Sequence, residues 1–425
     1  MKLFKRVSAL ALAGALTFGC LTGCESKQPA PEFTVPESID LTTVTDPYAA
    51  ISGMSGDTVV AVAGETEITM DHLLYWIVSL SDNLTQYYSM YGLSTGLPWE
   101  SEPEEGVTLA DKVKSNALKT AALYALLPDK AEEEGLELSE EFTQTLNGTL
   151  ESLAAQMGGE ELMQHYLWYF PMTQEVYNEL CVSEEYNGQI LTKYYGEGSE
   201  GQPTDEEILN YLEEEEQCYF FKHILLKVEE TVSEDSSETT SNYDTQKAKA
   251  EDLLAQLRAS DDPITLFDQL MKEHTEDPGL MTNPTGYLGT ANPSSAIASK
   301  MVTVVEEACL NMEEGQISEV LENEEGYHGF HIVLRLPVEG NVSVSDYYDT
   351  YINDRMSQMQ DQWLEDNAIV TNEHYDAIDP ADVYAALGVL RDAITEEANA
   401  DSEQEGMDSS ASASTSKPAS SAANS

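Results

Sequence analysis

Basic residues are scarce in this sequence. It contains 20 lysines and arginines against 78 aspartates and glutamates, which gives a formal net charge of −58 at pH 7. A surface of that sign repels the phosphates of nucleic acids and anionic lipid head groups. The composition therefore argues against DNA or RNA as a partner. The acidic surface should attract basic segments and divalent cations only diffusely.

Cysteine is also rare. The chain has five cysteines, and those beyond residue 24 are Cys181, Cys218 and Cys309, far apart in the sequence. Three widely spaced thiols provide neither a disulfide framework nor a metal cluster. We therefore expect these cysteines to be buried core residues, and we predict no metal site and no cofactor.

Long apolar runs are missing except near the start. A basic opening precedes the apolar run from Val7 to Phe18, which has the length of a signal-peptide core and is too short to span a bilayer. Leu21–Cys24 follows and resembles the lipobox of bacterial lipoproteins, in which the chain is cut before a cysteine that receives lipid. This predicts a signal peptide over 1–23 and a lipid on Cys24, with the chain anchored on the extracytoplasmic face of the cell membrane. A plain signal peptide, a short anchor helix and modification of Cys20 are the alternatives.

The first half of the remaining chain has a helical pattern. Residues 24–56 are rich in Pro, Ser, Thr and acids, which predicts a flexible tether. A strand over 59–64 and a helix beginning after Thr69 open a predicted helical domain over 57–202. Its apolar residues recur at three- and four-residue spacing, and this predicts further helices at 108–135, 139–157, 159–169 and 173–195.

The pattern changes near residue 217. Cys218–Val228 is aromatic and branched, as a strand should be. An acidic loop (229–243) and a loop rich in Pro and Gly (277–298) separate the later elements, which are predicted helices at 244–259, 264–274 and 300–312 and strands at Ile317–Leu321 and Gly329–Leu336. This order predicts a small α+β domain over 217–338, with helices around an antiparallel sheet.

Helix returns after Pro337. The segment 343–395 contains predicted helices at 344–367 and 380–396. The tail 396–425 consists mainly of Ser, Ala and Glu and has almost no large apolar residue. It cannot bury a core, so we predict that it is disordered.

Six segments of the α+β domain resemble the parvulin family of peptidyl-prolyl isomerases, in the family's order. They are Phe221–Leu226, Lys272–Gly279, Gly286–Gly289, Met301–Ala308, Glu314–Ser318 and Gly329–Leu334. The flanks resemble PrsA-like and SurA-like foldases by layout. The resemblance implies a parvulin-like domain inserted in a mostly helical chaperone domain, with the C-terminal helices of 343–395 packing on the N-terminal domain.

Prolyl isomerisation needs a shaped site and no cofactor. Rotation about the X-Pro bond makes or breaks no bond but faces a barrier of roughly 18–20 kcal/mol. An apolar pocket must hold the proline ring, and a dry polar patch must stabilise the twisted amide. The resemblance implies two groups of candidate residues: a hydrogen-bonding floor of His223, Asp277 and His331, and a pocket lined by Leu288, Met301 and Val305.

Two positions leave alternatives open. The tandem His328 and His331 both follow Gly-aromatic pairs; we choose His331 because Ile332–Arg335 continues its strand. Val305 stands where the family usually has phenylalanine, which predicts a shallower pocket and reduced activity. Each histidine could instead be a satisfied core residue, and Asp277 could be a turn residue only.

The sequence thus predicts a membrane-tethered foldase that isomerises X-Pro bonds in exported proteins. The main alternative is a holdase chaperone whose parvulin domain is weak or inactive. The presence of Val305 favours this hypothesis. A solute-binding lipoprotein would show two lobes of alternating strands and helices, which the helical first half lacks. The expected partners are unfolded or partly folded exported proteins, and a helical cradle is compatible with a homodimer.

Overall fold

A computed structural model describes residues 33–92, 96–232, 239–297, 299–324 and 328–413. The predicted signal peptide and the predicted lipidation site Cys24 lie outside these residues. Within them, every helix falls short of the length and hydrophobicity that a membrane span requires.

Helices make up most of the described chain. They are α1 (Pro47–Ser52), α2 (Met70–Met90), α3 (Leu109–Glu133), α4 (Glu140–Met157), α5 (Glu160–Tyr169), α6 (Gln174–Tyr195), α7 (Asp205–Asn210), α8 (Tyr243–Ala259), α9 (Pro263–His274), α10 (Thr303–Asn311), α11 (Tyr348–Asp366), α12 (Glu373–Asp376) and α13 (Pro380–Ala413). A π-helical segment, Tyr211–Glu215, follows α7, and short 3₁₀ turns occur at Leu41–Thr43, Pro278–Met281 and Val344–Tyr347.

The strands form three antiparallel sheets. They are β1 (Val59–Ala63), β2 (Thr66–Thr69), β3 (Cys218–Lys227), β4 (Glu230–Val232), β5 (Thr239–Ser241), β6 (Tyr287–Thr290), β7 (Leu321–Asn323), β8 (Gly329–Leu336) and β9 (Ile369–Thr371). The strand orders are β2-β1-β9, β6-β3-β8-β7 and β4-β5. The predicted α+β class, with helices around an antiparallel sheet, is confirmed.

The chain divides into two compact units. Of the described residues, the first contains those from 33 to 122, Thr149–Tyr177 and those from 369 to 413. It holds the three-stranded sheet, and its core includes Leu73, Leu74 and Ile77 of α2 with Leu387 and Leu390 of α13. Arg391 of α13 also donates through both terminal nitrogens to the carboxylate of Asp82 on α2.

The second unit contains Leu123–Gly148 and Asn178–Ala368. Its four-stranded sheet is covered on both faces, which explains why nine of the ten residues of β3 are buried. On one face, Phe220, Ile224 and Leu226 of β3 pack with apolar residues of α8 and α9. On the other face, Tyr219 and Phe221 of the same strand pack with Val305 and Cys309 of α10.

The predicted tether is folded in its second half. Within 33–56 the structure places α1, with Tyr48 and Ile51 buried. Asp46 caps this helix by accepting from the N–H groups of Tyr48 and Ala49, and Pro47 occupies the first helical position. Composition concealed this local helix signal, so the tether prediction is corrected for these residues.

Other differences are smaller. The predicted acidic loop 229–243 carries the β4-β5 hairpin, and the predicted loop 277–298 carries β6. The predicted strand at Ile317–Leu321 is mostly irregular: Ile317 makes one bridge to Leu334, and β7 begins at Leu321. Helix α13 runs on to Ala413, into the segment predicted to be a disordered tail.

Candidate functional site

Two histidines share one face of the central sheet. In the antiparallel pairing of β3 with β8, Leu225 lies opposite His331 and His223 lies opposite Val333. Side chains of cross-strand partners point to the same face, so His223 and His331 are diagonal neighbours. His223 Nε2 lies 2.6 Å from His331 Nδ1, and the two rings are stacked with centroids 4.8 Å apart. Both side chains are almost completely buried.

Asp277 approaches this pair from the turn after α9. Its Oδ2 lies 3.5 Å from His223 Nδ1 and accepts a hydrogen bond from the Tyr287 hydroxyl. Its Oδ1 accepts from the Gly279 N–H at 2.9 Å. The turn is fixed to β3, because Thr275 Oγ1 accepts from the Leu225 N–H at 3.0 Å. The structure therefore brings the three predicted polar residues together.

The surroundings set the charges of this cluster. Burial alone would raise the pKa of the Asp277 carboxyl, but the contacts from His223, Tyr287 and the Gly279 N–H lower that pKa to about 2. Burial, and to a smaller extent the neighbouring His223, lower the pKa of His331 to about 3, against a weaker opposing effect of Asp277. At neutral pH the site therefore holds an anionic Asp277 and a neutral His331.

In each of the two histidines, one buried ring nitrogen lacks a hydrogen bond of normal geometry. Within the described residues, His331 Nε2 is buried and has no hydrogen-bond partner. His223 Nδ1 also lacks a hydrogen bond of normal geometry, although Asp277 stands at ion-pair distance. The cluster is thus a dry polar patch with hydrogen-bonding capacity to spare, which suits an amide that twists and exposes its carbonyl and nitrogen.

The predicted apolar pocket is only partly assembled. Val305 is fully buried against Phe221, Cys309 and Val333, and Met301 packs half-buried at the edge of the same cluster. Leu288 belongs to a different cluster, with Tyr211, Leu212, Cys218 and Val338.

The register explains the position of Leu288. It pairs with Phe220, whose side chain packs on α8 and α9, whereas Tyr287 pairs with Phe221 on the histidine face. Successive residues of a strand point to opposite faces. The structure therefore does not bring Leu288 together with Met301 and Val305, and Tyr287 takes the position facing the histidines.

Sequence reasoning missed three residues that build this face. Tyr287 bonds Asp277, and Thr275 anchors the Asp277 turn. Arg335 donates to the carbonyls of Cys309 and Met312 at the end of α10, each at 2.7 Å, and stacks over the Tyr219 ring. The strict alternation of β3 and β8 could have indicated Arg335. The other two depend on loop contacts that no local pattern reports.

The described residues contain no group of three or more His, Cys, Asp and Glu side chains that could hold a metal ion. The candidate site offers two imidazoles and one carboxylate already engaged with each other. Its chemistry is that of hydrogen bonding and charge.

Comparisons with known proteins agree with this geometry. Residues 223–335 match the family described as the PPIC-type PPIASE domain, or rotamase. That range contains all six predicted residues of the floor and the pocket. The predicted resemblance to parvulin-type isomerases is confirmed for this part of the chain.

One curated relative is similar to this chain over only part of the relative's own length. A stretch of 154 residues is 29% identical to the chaperone SurA of Thiobacillus denitrificans (strain ATCC 25259 / T1) and covers 35% of this chain. It covers 31% of the SurA chain, so the match spans about a third of that relative.

Two solved structures are similar over longer stretches. The foldase protein PrsA of Streptococcus pneumoniae str. Canada MDR_19A is 16% identical, with 65% of this chain and 97% of that chain covered and a TM-score of 0.23. The peptidylprolyl isomerase (PrsA) of Bacillus cereus is 14% identical, with 76% and 98% covered and a TM-score of 0.27.

Proposed function

We propose that this chain, whose residues 223–335 match the PPIC-type PPIase family, is a foldase that isomerises X-Pro peptide bonds in exported proteins. The observation that carries the proposal is the buried cluster of His223, His331 and Asp277 within that domain. The proposal includes export by the N-terminal segment and a lipid anchor on Cys24, which rest on the sequence pattern alone.

The cluster would act by polarity and shape. An X-Pro amide loses its resonance as it twists, so the lone pair becomes localised on the nitrogen and the carbonyl is no longer conjugated with it. A preorganised, water-excluded polar patch can stabilise that state more than the planar one, which is the requirement for catalysis. Because no bond breaks, the residues of this site need only to keep their orientation and their protons.

The decisive experiment is a protease-coupled isomerisation assay on the full chain with a short proline peptide. We expect measurable activity in the wild type and a loss of at least tenfold in His223→Ala, because the variant removes the partner of both His331 and Asp277. His374→Ala, an exposed histidine of the other unit, is the matched control and should keep full activity. Wild-type activity equal to the uncatalysed rate would refute the enzymatic proposal.

A holdase function is the second candidate, and two observations favour it. Val305 is fully buried where the predicted pocket should open. In the first unit, the end of α2 exposes Tyr87, Met90 and Tyr91, which are 55%, 79% and 68% accessible. Exposed apolar side chains in one cluster mark surfaces that bind other chains.

Suppression of aggregation separates the two candidates. A holdase should keep an unfolding, proline-free client soluble at equimolar concentration even when His223→Ala has removed any isomerase activity. Tyr87→Ser combined with Tyr91→Ser should weaken that protection, whereas Leu310→Ser, at a 48% accessible position of the other unit, should not. A protein that isomerises peptides but fails to protect this client would be a foldase only.

A further inference from the structure

Tyr287 holds the carboxylate of the candidate site. Its ring is buried and stacks on Phe221, with centroids 5.6 Å apart and planes 24° from parallel. Its hydroxyl donates to Asp277 Oδ2, the same oxygen that lies 3.5 Å from His223 Nδ1. The stacked ring thus sets the position of the hydroxyl, and the hydroxyl sets the position of the carboxylate.

The turn after Asp277 leaves room for this hydroxyl. Gly279 donates its N–H to Asp277 Oδ1 at 2.9 Å. A Cβ placed on Gly279 would lie 2.3 Å from the Tyr287 hydroxyl oxygen, a distance at which one of the two must move. Glycine at this position is therefore what allows Tyr287 and the turn to hold one carboxylate oxygen each.

We propose that Tyr287 is a positioning residue that fixes the tautomers of the histidine pair through Asp277. A carboxylate only accepts hydrogen bonds, so Oδ2 beside His223 Nδ1 favours the His223 tautomer with its proton on that nitrogen. The His223 Nε2 lone pair then accepts from His331 Nδ1–H across 2.6 Å. His331 keeps its own lone pair on Nε2, the nitrogen without a partner in the described residues.

The consequence for catalysis rests on the proposed isomerase function. A site with one defined proton pattern presents one hydrogen-bonding surface to the twisting amide. Without the Tyr287 hydroxyl, Asp277 Oδ2 loses the donor that holds it beside His223, and the carboxylate can turn away from His223. The pair would then exchange between tautomers, and only a fraction of molecules would hold the productive one.

Histidine NMR tests this inference directly. Long-range ¹H–¹⁵N spectra of the full chain labelled with ¹⁵N-histidine distinguish the two neutral tautomers, and His223→Gln and His331→Gln assign the signals. We expect the Nδ1-protonated form of His223 in the wild type and a mixture of tautomers in Tyr287→Phe. Loss of one hydrogen bond to a charged group should also lower kcat/KM by about tenfold. Unchanged histidine signals in Tyr287→Phe would overturn the proposal, whatever its activity.

Gly279→Ala provides the second arm, because it displaces the hydroxyl without removing it. We expect the same mixture of tautomers as in Tyr287→Phe. The double variant Gly279→Ala/Tyr287→Phe should resemble either single variant, because Tyr287→Phe removes the hydroxyl oxygen that the new Cβ would strike. Additive effects would contradict the shared mechanism.

The matched control is Tyr243→Phe, which removes a tyrosine hydroxyl bonded to Glu322 elsewhere in the same unit. It should leave the His223 and His331 signals unchanged. A wild type without isomerase activity would refute the proposed function, while the histidine signals would still decide the role of Tyr287.

Discussion

His331 Nδ1 lies 2.6 Å from His223 Nε2, and both histidines are almost completely buried from solvent. Burial lowers the pKa of His331 to about 3, well below that of an exposed histidine. The folded protein therefore resists protonation of this ring over a pH range in which the unfolded chain accepts it. The histidine pair thus links the candidate site to the stability of the fold.

The first prediction concerns pH and stability. As pH falls below about 6.5, the unfolded chain binds a proton at His331 before the folded chain does, so the free energy of unfolding should decrease down to pH 3. Between pH 7 and pH 5 this single group can account for up to about 2 kcal/mol. Urea titrations at both pH values measure the difference. His331→Asn should reduce the difference in unfolding free energy between pH 7 and pH 5. His374→Asn, at an exposed position, should leave that difference unchanged.

Asp277 should make the stability of the fold depend on pH in a second, more acidic range. Its pKa of about 2 in the folded state lies below the value of roughly 3.9 for an unfolded aspartate. Its stabilising contribution is thus complete above pH 4 and is lost as pH falls toward 2. Asp277→Asn should remove this acid-sensitive part of the unfolding curve. An unaltered curve between pH 4 and pH 2 would show that the carboxylate does not interact with its neighbours.

The third prediction concerns Val305 and the shape of the pocket. Since Val305 is fully buried against Phe221 and Val333, a larger side chain has no free volume. Val305→Phe should therefore destabilise the second unit by about 1–3 kcal/mol, measured by urea unfolding. Leu310→Phe on the same helix is the control, because Leu310 is exposed and tolerates the added ring. A stable Val305→Phe variant with raised activity would instead mean that this cluster opens to admit proline.

Much of this architecture could be predicted from the sequence. The helices α3 to α6 begin and end within two residues of their predicted bounds, because their apolar residues recur at helical spacing between Gly and Pro breaks. Strand β8 occupies the predicted range Gly329–Leu336. The floor residues His223, Asp277 and His331 were identified by a resemblance, and the structure brings them together.

The rest depends on contacts between distant segments. Strand β6 has four residues, too few for a period, and exists because it pairs with β3. The same register turns Tyr287 toward the histidines and Leu288 away from them. A one-residue difference in register reverses which side chain faces a site, and the sequence around Gly286 does not report it.

The fourth prediction tests the folded part of the predicted tether. Asp46 Oδ1 caps α1, and its Oδ2 accepts from Ser55 Oγ at 2.9 Å and from the Gly56 N–H at 3.0 Å. Asp46→Ala should cost about 0.5–2 kcal/mol of stability and should expose residues 41–56 to limited proteolysis. Asp57→Ala, an exposed aspartate nearby, should leave the cleavage pattern unchanged. Rapid cleavage of the wild type within α1 would restore the flexible-tether interpretation.

The last prediction concerns the ion pair on the opposite face of the sheet from the histidines. Lys222 Nζ lies 2.5 Å from Asp268 Oδ1; the lysine is buried, whereas the aspartate is partly exposed. Asp268→Ala leaves a buried ammonium without its partner and should cost about 2–3 kcal/mol. Lys222→Met leaves a carboxylate that water can still reach and fills the same space with an apolar chain. It should therefore cost much less than Asp268→Ala, and the double variant should resemble Lys222→Met. Equal losses in the two single variants would mean that the contact itself, and not the isolated buried charge, determines the cost.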